Sequence, residues 1–150
     1  MENDTIRRLE ALRDDPDVCE LSVGDAGLLK KTKRQATQDA LRTLDVICCT
    51  CATAGDALVA QLRFSSCLID EATQVVEPEA LIPITLGVSK LVLVGDQKQL
   101  GPVVTGQAAK AGGLGVSLFE RLLAIGMRST MLDTQYRMHP QIAAYPAAAF

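Results

Sequence analysis

The chain has 150 residues, of which 48% are hydrophobic and 22% are charged, and its formal net charge at pH 7 is −3. This length suits a single domain with a core of its own, and no apolar run approaches the roughly 18 residues of a transmembrane helix. The acidic balance excludes a protein that is basic over its whole surface, although it leaves room for a locally basic groove.

The N-terminal part predicts two helices. Residues 4–14 and residues 25–44 both place apolar side chains at helical spacing, and the sequence DDPD interrupts the pattern between them. Four basic side chains crowd the middle of the second helix: Lys30, Lys31, Lys33 and Arg34. They fit a solvated helix face, and the alternative is contact with a phosphate backbone.

From residue 45 onward, short apolar runs are separated by helical stretches. The runs lie at 45–51, 67–70, 90–96 and, more weakly, 129–135, and the helical stretches lie at 56–64, 77–86 and 117–126. Apolar strands without alternation, joined by helices, are typical of a parallel sheet that is covered on both faces. The sequence therefore predicts an α/β fold for this part of the chain.

The five cysteines are expected to be reduced. They stand at positions 19, 48, 49, 51 and 67, and an odd number in a short chain does not suggest a disulfide framework. Cys48 and Cys51 form a C-x-x-C pair inside the first apolar run, which predicts buried thiols in a strand; a zinc or redox site is the alternative. Reduced thiols and a charged N-terminus without a signal region favour a cytoplasmic location.

Two of the predicted strands end in acidic residues. Asp70 and Glu71 follow the second run, and Asp96 follows the third. In open parallel sheets, ligands bind beyond the carboxyl ends of the strands. An aspartate at such a strand end is the arrangement that holds Mg²⁺ beside nucleotide phosphates, and the adjacent glutamate, aimed differently, suits activation of a water molecule. A polar strand end without a ligand is the alternative.

Two later segments add groups that suit a nucleotide. Gln99 stands three residues after Asp96, where its amide can donate to a phosphate oxygen. Tyr136 and Arg137 are adjacent, and they offer an aromatic face for a base and a planar fork for phosphate. The phosphate-cradling sequence G-x-x-x-x-G-K-[ST] does not occur in the 150 residues, because no lysine follows a glycine.

Three blocks resemble motifs of superfamily 1 helicases. Residues 70–74, DEATQ, resemble motif II; residues 95–102, GDQKQLGP, resemble motif III; and residues 135–138, QYRM, resemble motif IV. Within that superfamily the chain is most similar to the regulator of nonsense transcripts family, the helicases of nonsense-mediated mRNA decay. The resemblance is close from about residue 45 to residue 150 and looser before it. DEAD-box helicases are a poorer match.

The resemblance implies ATP and Mg²⁺ as cofactors and a role for each matched residue. Asp70 would coordinate Mg²⁺ through water, and Glu71 would be the catalytic base. Gln99 would sense the γ-phosphate. Tyr136 would stack on adenine, and Arg137 would contact the γ-phosphate.

The resemblance also implies partners. Thr50, Cys51 and Ala52 match a segment that grips the nucleic-acid backbone. Single-stranded RNA is the implied partner, with DNA as the alternative, together with other decay factors and no membrane.

The domain organisation implied by the resemblance is a partial RecA-like P-loop NTPase lobe with an N-terminal helical insertion. Residues 1–44 would be the insertion, residues 45–130 the C-terminal part of the first RecA-like domain, and residues 131–150 the start of the second. The missing phosphate loop suggests part of a longer protein, and the chain alone is expected to lack ATPase activity. The alternatives are another superfamily 1 helicase, such as a senataxin-like one, and a non-enzymatic truncated product that acts as a binding module.

Overall fold

The computed structural model of the chain describes residues 2–14 and 21–149. The chain divides into two compact units, Met1–Phe64 and Ser65–Phe150. Cys19 and most of the predicted break at 14–17 lie outside the described residues.

The first unit is built on two helices, α1 (Glu2–Arg13) and α2 (Val23–Arg42), which pack against each other. Leu9 and Leu29 are the buried apolar residues of this pair, and Lys33 Nζ forms an ion pair with Glu10 Oε1 at 2.6 Å. The serine before α2, Ser22, accepts a hydrogen bond from the N–H of Asp25 and so caps the helix. Both predicted helices are confirmed.

The predicted strand at 45–51 is wrong. Residues 46–50 form no strand; the thiols of Cys48 and Cys49 are exposed, and Cys51 is half-buried. An apolar run becomes a buried strand only when a neighbouring strand pairs with its backbone, and within the described residues the sheet contains two strands from elsewhere in the chain. The helix expected at 56–64 is also wrong, because this stretch forms successive turns.

The second unit contains a two-stranded parallel sheet. Strand β1 (Ser66–Ile69) pairs with β2 (Lys90–Leu93), with Ile69 opposite Leu93. Helix α3 (Glu77–Ile84) connects them and packs against β1. Parallel strands run in the same direction, so the chain must cross over from the end of one strand to the start of the next. A tight turn can join only antiparallel strands. The two predicted strands, their parallel pairing and the helix between them are confirmed.

The sheet is covered on one face, whereas cover on both faces was predicted. Ile69 is 5% exposed, but its neighbour Leu68 is 65% exposed and the register partner of Leu68, Val92, is 39% exposed. Successive strand residues point to opposite faces, so Leu68 and Val92 share the open face. The apolar composition of these strands suits cover on both sides, but among the described elements α3 is the helix that packs on β1.

Three further helices follow β2. They are α4 (Gln107–Ala111), α5 (Leu118–Ala124) and α6 (Pro140–Ala149). Helix α5 confirms the stretch predicted at 117–126 and begins with a capping box, in which Ser117 and Glu120 bond each other's backbone N–H groups. The weaker strand predicted at 129–135 is wrong, because these residues are irregular and exposed.

Candidate functional site

Residues 70–74, here called the acid loop, follow β1 directly. Asp70 Oδ1 accepts a hydrogen bond from the backbone N–H of Glu71 at 3.0 Å. Glu71 has a left-handed backbone, with φ 52° and ψ 37°, which a residue other than glycine adopts only when its surroundings require it. A single 3-10 turn, Ala72–Gln74, completes the loop. The two acids therefore stand in a sharp turn at the carboxyl end of the strand.

The acid loop is anchored to the end of β2. The N–H of Ala72 donates to the carbonyl of Val94 at 2.8 Å, and Thr73 is 1% exposed. Gly95 lies so close to Thr73 that a Cβ on Gly95 would stand 3.1 Å from the backbone nitrogen of Thr73 and from its Cγ2. This close approach of two loops favours glycine at position 95, because any Cβ there would crowd Thr73.

Residues 95–99, here called the Gln99 loop, are organised by Asp96. Its Oδ1 accepts the N–H of Lys98 at 2.9 Å, and its Oδ2 accepts the side-chain amide of Gln99 at 3.0 Å. These donors, the Lys98 N–H first, hold the pKa of Asp96 below its usual value. Asp96 therefore fixes Gln99, whose second amide N–H and carbonyl oxygen remain available to another group.

Helix α5 supports the acid loop from behind. It packs against the 3-10 turn, and the fully buried Ser117 at its start forms a bridge with Val76. The guanidinium of Arg121 donates to both carboxylate oxygens of Glu77 at 2.6 Å. This forked contact lowers the pKa of Glu77 and raises the pKa of Arg121.

Residues 135–138, here called the Tyr136 loop, are held by their own first residue. Gln135 donates its amide to the carbonyl of Met138 at 2.9 Å and accepts the N–H of Met138 at 2.7 Å. The two residues between them project outwards, and Tyr136 is 93% exposed. Among the described residues, no hydrogen bond or ion pair joins Arg137 to the acid loop.

The predicted nucleic-acid segment, Thr50, Cys51 and Ala52, lies in the first unit. The hydroxyl of Thr50 accepts the N–H of Thr53 at 3.1 Å and also contacts the Thr53 hydroxyl at 2.8 Å. Thr50 thereby starts the short 3-10 helix Thr53–Gly55. Thr50 and Ala52 are exposed and Cys51 is half-buried.

Asp70 offers a ligand for a hard cation. One of its carboxylate oxygens accepts the N–H of Glu71, and within the acid loop the other accepts no hydrogen bond. Within residues 2–14 and 21–149, no three His, Cys, Asp or Glu side chains cluster as a metal site. A single carboxylate of this kind suits Mg²⁺, which keeps several waters and takes further ligands from phosphate, better than it suits zinc.

Three supporting residues were not predicted from the sequence. Gln74 donates its amide to Glu71 at 3.1 Å, Thr73 packs under Gly95, and Arg121 clamps Glu77. The spacing of Gln74, three residues after Glu71, was a signal, since side chains three apart eclipse each other on a 3-10 turn. Arg121 and Glu77 are 44 positions apart in the sequence, so no local sequence pattern predicts the contact between them.

Comparisons with known proteins show the family of the chain. A family model described as an AAA domain matches residues 10–107, more than half of the chain and the part that holds the acid loop and the Gln99 loop. The chain belongs to this AAA-domain family. A second model of the same description matches residues 114–150, which include the Tyr136 loop.

Curated relatives of this AAA-domain chain are named as ATP-dependent helicases or as regulators of nonsense transcripts. The regulator of nonsense transcripts 1 homolog of Drosophila melanogaster is 45% identical over 148 residues, and that of Arabidopsis thaliana is 44% identical over 149, each match covering 99% of this chain and 12% of the relative. The ATP-dependent helicase upf1 of Schizosaccharomyces pombe is 45% identical over 148 residues, 99% of this chain and 16% of that protein. The predicted resemblance is therefore confirmed.

The chain spans a small part of the relatives' length, as the shares of 12% and 16% show. The AAA-domain family and the small parallel sheet establish the α/β class. Within the described residues, no helix has both the length and the apolar character needed to cross a membrane.

Proposed function

We propose that this chain is the part of an ATP-dependent RNA helicase that carries motifs II, III and IV, and that the whole protein couples ATP hydrolysis to movement along single-stranded RNA in nonsense-mediated mRNA decay. The observation that carries the proposal is the contact between the acid loop and the Gln99 loop. The parallel strands deliver both loops to the same edge of the sheet, and Thr73 and Gly95 pack directly against each other there.

The roles proposed for the residues come from the resemblance to superfamily 1 helicases, and their surroundings are compatible with them. Asp70 holds Mg²⁺ with its carboxylate, which is the chemistry its exposed strand-end position suits. Glu71 accepts a proton from the attacking water, and Gln99 donates an amide N–H to the γ-phosphate. The resemblance gives Tyr136 the role of stacking on adenine and Arg137 that of contacting the γ-phosphate, and both residues are exposed, so a nucleotide can reach them.

Mg²⁺ would neutralise charge on the phosphates when bound. The donor chemistry of Asp70 fits that ion, since an exposed carboxylate with one engaged oxygen would hold Mg²⁺ through water and offers the oxygen donor that this ion prefers. The remaining ligands would come from water and phosphate.

The domain arrangement is part of the same proposal. Residues 1–44 form the helical insertion of the first RecA-like domain, residues 45–130 its C-terminal part, and residues 131–150 the beginning of the second. The pair of helices in the first unit supports an insertion, because α1 and α2 pack against each other and bury Leu9 and Leu29. Thr50, Cys51 and Ala52 then contact the nucleic-acid backbone, and the reduced thiols suit the cytoplasm.

A second candidate function rests on the absence of G-x-x-x-x-G-K-[ST] from the 150 residues. An isolated chain without this phosphate loop would act as a binding module and hydrolyse no ATP. Another superfamily 1 helicase of DNA or RNA remains compatible with motifs II to IV.

The proposal is tested in a chimera. The 148 aligned residues of the S. pombe helicase are replaced by the matching residues of this chain, and RNA-stimulated ATP hydrolysis is measured beside nucleotide affinity with and without Mg²⁺. The parent chimera is expected to hydrolyse ATP. Glu71→Gln should keep nucleotide binding and lower hydrolysis by about 10²–10⁴-fold, the usual scale for loss of a general base.

Two further variants complete the test. Asp70→Asn should weaken Mg²⁺-dependent nucleotide binding as well as turnover. Glu79→Gln, the same chemical change on helix α3 outside both loops, is the matched control and should leave hydrolysis unchanged. If Glu71→Gln hydrolyses ATP at near the parent rate, Glu71 is not the base.

A further inference from the structure

Gln74 stands directly above Glu71 on the acid loop. It is the last residue of the 3-10 turn Ala72–Gln74, and its backbone N–H donates to the carbonyl of Glu71 at 2.9 Å. Its side-chain Nε2 donates to Glu71 Oε2 at 3.1 Å. Three residues per repeat bring these two side chains to the same side of the turn, which begins at the left-handed backbone of Glu71, so the amide and the carboxylate meet.

The backbone on both sides of this contact is fixed. Ala72 and Thr73, which lie between the two residues, are 2% and 1% exposed. The backbone of Glu71 is held in the left-handed region at φ 52°. With both Cα positions fixed, the side-chain torsions of Glu71 are the remaining freedom of the carboxylate, and the amide of Gln74 restricts them to one arrangement.

The hydrogen bond from Gln74 engages Oε2 of the Glu71 carboxylate and leaves Oε1 available. Within the described part of the chain, Oε1 of Glu71 accepts no hydrogen bond from a protein group. A primary amide suits this task because it donates a hydrogen bond and carries no charge, so it does not neutralise the carboxylate. A lysine or arginine at the same place would form an ion pair and weaken the basicity that the free oxygen needs.

We propose that Gln74 is a positioning residue, which holds the carboxylate of Glu71 so that its free oxygen faces the attacking water. This rests on the proposed function, because it assumes that Glu71 is the base. A catalytic group that loses its orientation loses rate although its chemistry is intact, and a misplacement of about 1 Å can cost as much as 10²-fold. The bonded side chains are exposed, so the contact is expected to matter little for folding.

The activity test uses the chimera described above. Gln74→Ala should lower kcat by about tenfold to a hundredfold, with the KM for ATP and the melting temperature unchanged. Gln107→Ala removes an exposed glutamine of helix α4, away from both loops, and should leave kcat unchanged. A fall in kcat for both variants, or for neither, would overturn the proposal.

A double-mutant comparison shows whether Gln74 acts by positioning Glu71 or contributes to hydrolysis independently of Glu71. If Gln74 acts through Glu71, Gln74→Ala should have no further effect on the residual hydrolysis of a Glu71→Gln chimera, since the two changes act on one group. Equal fold losses in both backgrounds would show that Gln74 acts independently of Glu71 and would overturn the proposal. A folded parent chimera without ATPase activity would overturn the proposed function and the positioning role together.

A second measurement needs no activity. In nitrogen-15 spectra of the 150-residue chain, the side-chain amide signals of Gln74 should shift on Glu71→Ala, while those of Gln107 should stay in place. Unchanged Gln74 signals would show that the hydrogen bond is absent in solution and would overturn the positioning role, whatever the chimera does.

Discussion

The acid loop and the Tyr136 loop both carry residues proposed to handle nucleotide, yet they are held in different ways. The acid loop is fixed by long-range contacts: the N–H of Ala72 reaches the carbonyl of Val94, and Thr73 is buried against Gly95. The Tyr136 loop is closed by one of its own side chains, Gln135, and is otherwise exposed. The residues proposed to hold the metal and to act as base are thus placed by the core of the unit, whereas those proposed to contact adenine and phosphate project from a locally closed turn.

The largest effect on this comparison is expected from Gly95→Ala. The added Cβ would stand 3.1 Å from the backbone nitrogen of Thr73, which cannot move away as a flexible side chain could. The free energy of unfolding of the chain should fall by about 1–3 kcal/mol, as for other overpacked sites. Urea unfolding measures it. Gly27→Ala on helix α2, where nothing lies within 4 Å of the new Cβ, is the control and should stabilise the chain slightly.

Thr73→Val tests the other side of the same contact, and here the free energy of unfolding is expected to rise. Thr73 Oγ1 is buried, and in the described part of the chain it has no hydrogen-bond partner. Valine keeps the shape and removes the buried hydroxyl, so the free energy of unfolding should rise by about 1 kcal/mol. Thr105→Val, at an exposed site, should change it by less than about 0.5 kcal/mol. A loss of stability in Thr73→Val would mean that the hydroxyl finds a partner in solution.

Acid should weaken the Gln99 loop through Asp96. The folded-state pKa of this carboxyl is lowered, so the charged form stabilises the folded chain above the unfolded pKa of about 3.9. That contribution is lost as the pH falls through the lower, folded pKa. The parent should therefore exceed Asp96→Asn in its urea midpoint at pH 6, and the difference should shrink between pH 4 and pH 3. A difference that is constant with pH would contradict the charge-based account.

The smallest effect is expected from Gln135→Ala. It opens the Tyr136 loop, but the loop is exposed, so the free energy of unfolding should change by less than about 0.5 kcal/mol. The local effect should still be visible, because the N–H of Met138 loses its acceptor and should exchange with solvent faster. If Gln135→Ala destabilised the chain as much as Gly95→Ala, the two loops would not differ in the way described.

The sequence predicted the parts of the fold that depend on neighbours close along the chain. The helical spacing around Leu9 and Leu29 was correct, and the runs before Asp70 and Asp96 were correct as parallel strands. The run containing Cys48 has the same apolar texture but forms no strand. The apolar composition of a run shows which side chains tolerate burial. A strand also needs a neighbouring strand to pair with its backbone, and no local sequence pattern predicts that neighbour.

The candidate site was predicted to a similar extent. Strand ends and motif spacing placed Asp70, Glu71 and Gln99 on two loops at one edge, and the contact between Thr73 and Gly95 brings those loops together. Which donors hold the side chains could not be read from the sequence. The hydrogen bond from the Gln99 amide to Asp96, for example, depends on the orientation that the Asp96 carboxylate takes once the turn has formed.

The left-handed backbone of Glu71 has a consequence for protein engineering. Asparagine and glycine tolerate this conformation better than glutamate does, and β-branched residues tolerate it worst. A saturation library at position 71 that is selected for thermal resistance should therefore enrich asparagine and glycine. If Glu71 is the proposed base, the same library selected for turnover in the chimera should return glutamate, so stabilising this turn and keeping the proposed base are opposed aims at a single codon.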